Sequence, residues 1–130
     1  MVSDRQRDIF DRILDRIVDE LPQQLHELIE ELPVIVEDEP SLDLLDEMDV
    51  GEDSDLCGLH WGTPLTRRSV SQLPEVPDRI LMFRGPIIRL AGWRGRGTRE
   101  LERQIRITLL HEIGHHFGLD EDDLARLGYG

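Results

Sequence analysis

The sequence predicts one domain of mixed helix and strand, and three observations predict it. Apolar residues repeat at helical spacing near both ends of the chain. Short β-prone runs lie between them, punctuated by Gly and Pro. The chain's 130 residues are the length of a single domain, 1–130. A chain this long can bury a usable core without disulfide staples. None is available, because Cys57 is the only cysteine.

The first helix is carried by Ile9, Phe10, Ile13, Leu14, Ile17, Val18 and Leu21, with Asp and Arg on the remaining faces. Ser3 is its expected N-cap, and Asp8–Arg12 is an i, i+4 pair that supports it. Pro22 ends this helix or opens a second one along Leu25, Leu28, Ile29 and Leu32. Pro33–Asp38 then reads as a short β-branched strand closed by Pro40. The acidic run Leu42–Asp55 reads as a loop with one helical turn near Leu44–Met48. It does not fit a calcium-binding EF-hand, because Met48 and Val50 would stand where oxygen ligands are needed.

Leu56–Trp61 and Arg79–Phe83 read as two further strands, and Pro86–Leu90 fits either a strand or a short helix. Gly92–Gly97 is a basic loop of Gly, Trp and Arg. Thr98 is the expected cap of a last long helix, Arg99 to about Phe117, with Leu101, Ile105, Leu109 and Ile113 on its apolar face.

Charge excludes several functions. The chain has 28 acidic residues against 15 basic ones, all arginine, for a net charge of −13. Phosphate backbones and anionic membranes would be repelled, so neither nucleic acid nor membrane is an expected partner. The basic Gly92–Gly97 loop is too small a feature to reverse this. No apolar run approaches the roughly 20 residues that span a bilayer. The opening MVSDRQRDIFDR lacks the apolar stretch of a secretory signal, so a cytoplasmic protein is expected. Residues 1–55 hold 19 acids and 4 arginines, whereas residues 56–130 hold 9 acids and 11 arginines. Either the two halves face each other or the acidic half is a solvated surface; the second is favoured, since charge runs are usually exposed.

One stretch carries chemistry. His111-Glu112-Ile113-Gly114-His115 is an H-E-x-x-H motif inside the last helix. At 100° per residue His115 lies about 40° round from His111, one turn on, so both imidazoles can reach one metal ion. Glu112 lies about 60° from His115 on the same side, near enough to serve a metal-bound water as general base. His116 points away and reads as a structural histidine or as one that supports the site from behind its ligands. Gly118 falls where the helix should stop, and a left-handed glycine there would turn the chain back toward the histidines. The full string is therefore H-E-x-x-H-x-x-G-x-x-E. A third ligand ten residues after the first is the metzincin arrangement, usually His and here Glu121. Asp120 is the rival ligand, but it is also placed to cap a short helix from Glu121 to Leu127; register favours Glu121. Zinc suits this set, although manganese, cobalt or iron could take the same two imidazoles and a carboxylate.

The resemblance extends beyond the motif. Val34–Pro40, Gly58-Leu59-His60-Trp61-Gly62-Thr63-Pro64-Leu65-Thr66, Arg79–Ile87 and His111–Gly118 together resemble a small bacterial family of minimal, metzincin-like zincin metallopeptidases. That resemblance implies a compact α+β fold, with a short mixed sheet packed on an active-site helix and a long N-terminal helix. It implies peptide-bond hydrolysis in a peptide or protein substrate. His111, His115 and Glu121 would hold one zinc ion, with Glu112 as base. The sequence departs from full metzincins in its Glu third ligand and in having Met1, Met48 and Met82 all before the motif.

An extended substrate is expected along a sheet edge, for which Arg79–Phe83 is the candidate. Tyr129 and His60 are candidate oxyanion donors, each with a plainer reading as a tail or strand-face residue. The alternative to a peptidase is a metal-binding regulatory or interaction module whose acidic half meets a basic partner. A scaffold without metal is a third reading. The intact Glu112 favours the enzyme, since a structural zinc site needs no base.

Overall fold

A computed structural model describes residues 1–47, 56–61 and 79–126; for Leu28, Glu47, His60, Trp61, Glu121 and Leu124 only the backbone is described. The elements run α1 (Asp4–Asp19), α2 (Gln23–Glu30), β1 (Val34–Glu37), α3 (Leu42–Glu47), β2 (Gly58–Trp61), β3 (Arg79–Phe83), α4 (Arg84–Ala91), α5 (Arg99–Phe117) and α6 (Glu121–Arg126). Helices and a three-stranded mixed sheet make the fold α+β, as the resemblance implies. Among the described residues, no helix is long and apolar enough to cross a membrane.

Local chemistry accounts for most boundaries. Ser3 caps α1 in a reciprocal box: its hydroxyl accepts from the Gln6 N–H at 3.1 Å, and the Gln6 side chain accepts from the Ser3 N–H at 2.8 Å. Asp8 and Arg12 pair at 3.1 Å, as their spacing predicts. Pro22 opens α2 rather than closing α1, its carbonyl accepting from the His26 N–H at 2.9 Å. The ambiguous segment around Pro86–Leu90 is helical and closes at left-handed Gly92, φ 64°. Trp93, just beyond, is 8% exposed and part of the core, so it is not presented for base stacking.

The strand order is β1-β3-β2. β1 runs parallel to β3, with Val34 opposite Ile80 and Glu37 opposite Phe83. β2 runs antiparallel to β3, with Gly58 opposite Met82 and Trp61 opposite Arg79. The expectation that Arg79–Phe83 is an edge is therefore wrong: β3 is the central strand, paired on both sides. Its composition gives the physical reason. Ile80 and Met82 enter the main core, while Leu81 and Phe83 form a second cluster with Leu44 on the other face. A strand covered on both faces reads as a continuous apolar run, whereas an edge strand tolerates polar positions.

The main core joins α1 through Phe10, Ile13, Leu14 and Ile17 to α4 and α5. Leu101, Ile105, Leu109 and Ile113 of α5 are fully enclosed, each worth about 1.5–3 kcal/mol relative to exposure. That outweighs the roughly 1 kcal/mol cost of Gly114 in a helix interior. The other side of α5 meets β2 at Gly58. A Cβ added to Gly58 would lie 2.7 Å from Thr108 Cγ2, 3.2 Å from Glu112 Cγ and 3.3 Å from the Leu81 carbonyl oxygen. Only glycine lets strand and helix approach this closely.

Most described acids of residues 1–55 are exposed, as the favoured reading expects, but a few of them also pair with arginines of the other half. Arg84 donates from Nε and Nη2 to the two oxygens of Asp11 at 2.9 Å each, and from Nη1 to Asp38 at 3.0 Å. Across the halves Arg89 also pairs with Glu39 at 2.6 Å and Arg16 on α1 with Glu102 on α5, while within the first half Arg7 reaches the other Asp38 oxygen at 2.8 Å. Patterns of net charge do not reveal such pairing, because opposite halves attract whichever residues topology brings together.

Two predictions follow from this packing. Gly58→Ala should lower stability by about 1–3 kcal/mol in urea unfolding, the usual cost of overpacking; a loss below about 0.5 kcal/mol would mean the strand yields freely. The second concerns acid. Burial works to raise the Asp38 carboxyl, but hydrogen bonds from Arg7 and Arg84 outweigh it and hold it below the ordinary Asp value. A depressed folded-state value gives stability that is present above the ordinary carboxylate range and lost as pH falls through the folded-state value. Asp38→Asn should therefore lower Tm at neutral pH and flatten its decline between about pH 5 and pH 2. Parallel Tm-against-pH curves for the two proteins would contradict this.

Candidate functional site

The site is built on the last two turns of α5. Thr98 occupies the N-cap position, but its hydroxyl meets the Glu102 carboxylate at 3.2 Å and no backbone N–H. Glu100 and Glu102 put negative charge in the first turn, where the helix dipole favours it. The enclosed positions then decide where the motif points.

His111 and His115 both face solvent, and their rings meet edge to face at 4.6 Å between centroids. Glu112 is turned inward, its side chain 11% exposed against β2. One of its oxygens lies 3.8 Å from His115 Nδ1, an electrostatic contact too long for a hydrogen bond. His116 is buried at 6% and packs edge to face on Phe117 at 4.4 Å, the structural role expected of it.

The helix stops where the sequence says it should. Gly118 is left-handed, φ 68° and ψ 27°, and its N–H donates to the Gly114 carbonyl. The Leu119 N–H donates to the same oxygen at 2.7 Å. Asp120 then caps α6: its Oδ1 accepts from the Asp123 N–H at 2.8 Å, while Asp123 Oδ2 accepts from the Asp120 N–H at 3.0 Å. These hydrogen bonds, the backbone one from Asp123 first, hold the Asp120 carboxyl below its ordinary value against a small effect of burial. Glu121 is the first residue of α6, directly after the reversal.

The structure thus brings His111, Glu112 and His115 together. The Glu121 side chain lies outside what is described, as do the His60 side chain and Tyr129. Among the described residues, no three His, Cys, Asp or Glu side chains form a group able to hold a metal ion. The donors present nevertheless suit one. Two imidazoles one turn apart, open to solvent beside a buried carboxylate, are the nitrogen ligands and neighbouring base that a borderline divalent cation such as zinc takes.

Two contributors escaped the sequence reading. Gly58 lets β2 approach Glu112, and Thr108, buried one turn before Glu112, shares that contact. The only signal was a glycine opening a short strand, and glycines in strands have several causes.

Among the described residues, the strand beside the motif helix that has an edge without a partner is β2, not β3. Among the described residues β2 pairs with β3 alone, and it lies against α5 at Glu112. No curated protein matches the chain. The profile of the family described as zincin-like metallopeptidase matches residues 29–130, which includes the sheet, the motif helix and the turn after it. The chain belongs to the zincin-like metallopeptidase family.

Proposed function

We propose that this protein is a zinc-dependent peptidase in which His111, His115 and Glu121 hold one zinc ion and Glu112 is the general base. The observation that carries this reading is the pair of solvent-facing imidazoles one turn apart, beside the buried Glu112 carboxylate. Asp120 is committed to capping α6, which favours Glu121 as the third ligand. The substrate is a peptide or protein, because the net charge of −13 disfavours nucleic acid and anionic membrane. The lone thiol of Cys57 is in keeping with a cytoplasmic setting.

When bound, the zinc supplies Lewis acidity, which makes water a nucleophile near neutral pH and polarises the scissile carbonyl. The chain's own residues do the rest. His111 and His115 bind through ring nitrogens fixed by the rotation of α5. Glu112 takes the proton of the attacking water on a carboxylate oxygen and delivers it to the leaving amine nitrogen. Its burial against β2 keeps bulk water from competing for that proton. The peptide lies extended along the outer edge of β2, where backbone hydrogen bonds would hold it as an added strand.

Zinc titration of the purified protein should give one ion per chain. His115→Ala and Glu121→Ala should each weaken the affinity by more than about 100-fold, beyond the usual cost of losing an outer-shell partner. Glu112→Gln should keep its zinc and lose about 10²–10⁴-fold in peptide cleavage. No zinc at micromolar concentration would overturn the hydrolase reading. Tight zinc binding without cleavage of any peptide library would instead favour the metal-binding interaction module.

A further inference from the structure

Away from the histidines, α1 and β1 enclose a groove of about 530 Å³ that the peptidase reading leaves unused. Its volume is within the range of ligand clefts, about 300–1,000 Å³. The floor is apolar, made by Leu14 and Val18 of α1 with Val34 and Val36 of β1. The rim is acidic: Asp11, Asp15 and Asp19 follow each other at one-turn spacing along α1. Asp15 and Asp19 are exposed and have no ion-pair partner among the described residues.

One end of the groove already shows what such a rim binds. Arg84 seats its guanidinium on both oxygens of Asp11 at 2.9 Å, with Nη1 on Asp38 and the ring of Phe10 at 5.9 Å. Its side chain is only 13% exposed. The chain thus supplies one arginine to the first of three aspartates and leaves the next two open.

The other wall is a strand edge. Among the described residues β1 pairs with β3 alone, so its outer backbone groups are available for a further strand. Residues i and i+4 of a helix are about 6 Å apart along its axis, and residues i and i+2 of an extended chain about 6.6–6.8 Å. A strand added beside β1 would therefore present every second side chain to successive aspartates. Arginine suits both parts of that wall: its stem covers the valine and leucine floor while its guanidinium meets the carboxylate.

We infer that this groove docks an extended basic segment of a partner protein, added beside β1 with Arg at alternate positions facing Asp15 and Asp19. No step of this inference uses the metal site, and its failure would leave the peptidase reading untouched. The occupant is basic because the rim beyond the end that Arg84 fills is acidic, at Asp15 and Asp19, and extended because the wall opposite is a strand whose outer edge has no partner among the described residues.

Fluorescence anisotropy with the full chain tests it, using a labelled (Arg-Thr)₄ peptide at about 0.15 M salt, where long-range attraction is largely screened. The comparison peptide is Arg-Arg-Thr-Thr repeated, identical in charge and composition but presenting adjacent arginines to opposite faces. The alternating peptide should bind saturably and more tightly. The Asp15→Asn/Asp19→Asn double variant should weaken it by about five- to tenfold, as expected for two exposed ion pairs. An Asp4→Asn/Asp8→Asn variant removes the same charge from α1 outside the groove and should change binding less than about twofold. Equal binding of the two peptides, equal effects of the two variants, or no saturation at millimolar peptide would each overturn the inference. So would self-association by ultracentrifugation that the Asp15/Asp19 variant abolishes, since a second copy would then hold the groove.

Discussion

Enclosure of Leu101, Ile105, Leu109 and Ile113 fixes the rotation of α5 about its own axis, and the site depends on that rotation. With 3.6 residues per turn, His111 and His115 lie about 200° round from Leu109 and Ile113 respectively, so burying the second pair exposes the first. Glu112 lies about 100° from Ile113, which turns it toward β2. A single set of apolar contacts thus gives two neighbouring residue types opposite environments: imidazoles in water, carboxylate in protein. Nothing in the motif itself would achieve this, because an isolated helix is free to roll. The sheet completes the arrangement by bringing Gly58 against the Glu112 stem.

Charge plays a second, separate part. The acids of the first half are not simply a solvated coat. Asp11 and Asp38 are bridged by Arg84, and Glu39 is met by Arg89, so the end of β1 and the start of α4 are clamped to α1. Exposed ion pairs are individually weak, but Arg84 is mostly buried and shared between two carboxylates. Its position directly after β3 ties the central strand to α1. The remaining acids, farther along α1, are outside this clamp.

Most elements were legible because the signals behind them are local. The apolar stripe and the Ser3 cap mark α1, and β-branched Val34–Val36 mark β1. The H-E-x-x-H spacing with Gly118 gave both the candidate ligands and the left-handed stop. What escaped was set by distant partners. The run Ile80–Phe83 announces a strand but not its neighbours, and its position between β1 and β2 became visible only through pairing. The inward turn of Glu112 and the close approach of Gly58 likewise arise from tertiary contact. Thr98 was recognised as the cap by position, yet its hydroxyl prefers the Glu102 side chain. Charge counts by halves could not say that Arg84 would find Asp11.

The parallel pairing of β1 with β3 has a consequence in time. Val34 meets Ile80 across more than a third of the chain, with α3 and β2 between them. Loop closure of that length is slow compared with helix growth, which needs only neighbours. The α5 helix, with both histidines one turn apart, can therefore form before the sheet exists. Glu112 acquires its enclosed setting only when β2 joins β3 and reaches the helix. In a newly made chain the two imidazoles can therefore come together before Glu112 is enclosed, and the contrast between their surroundings is the last feature of this helix to mature.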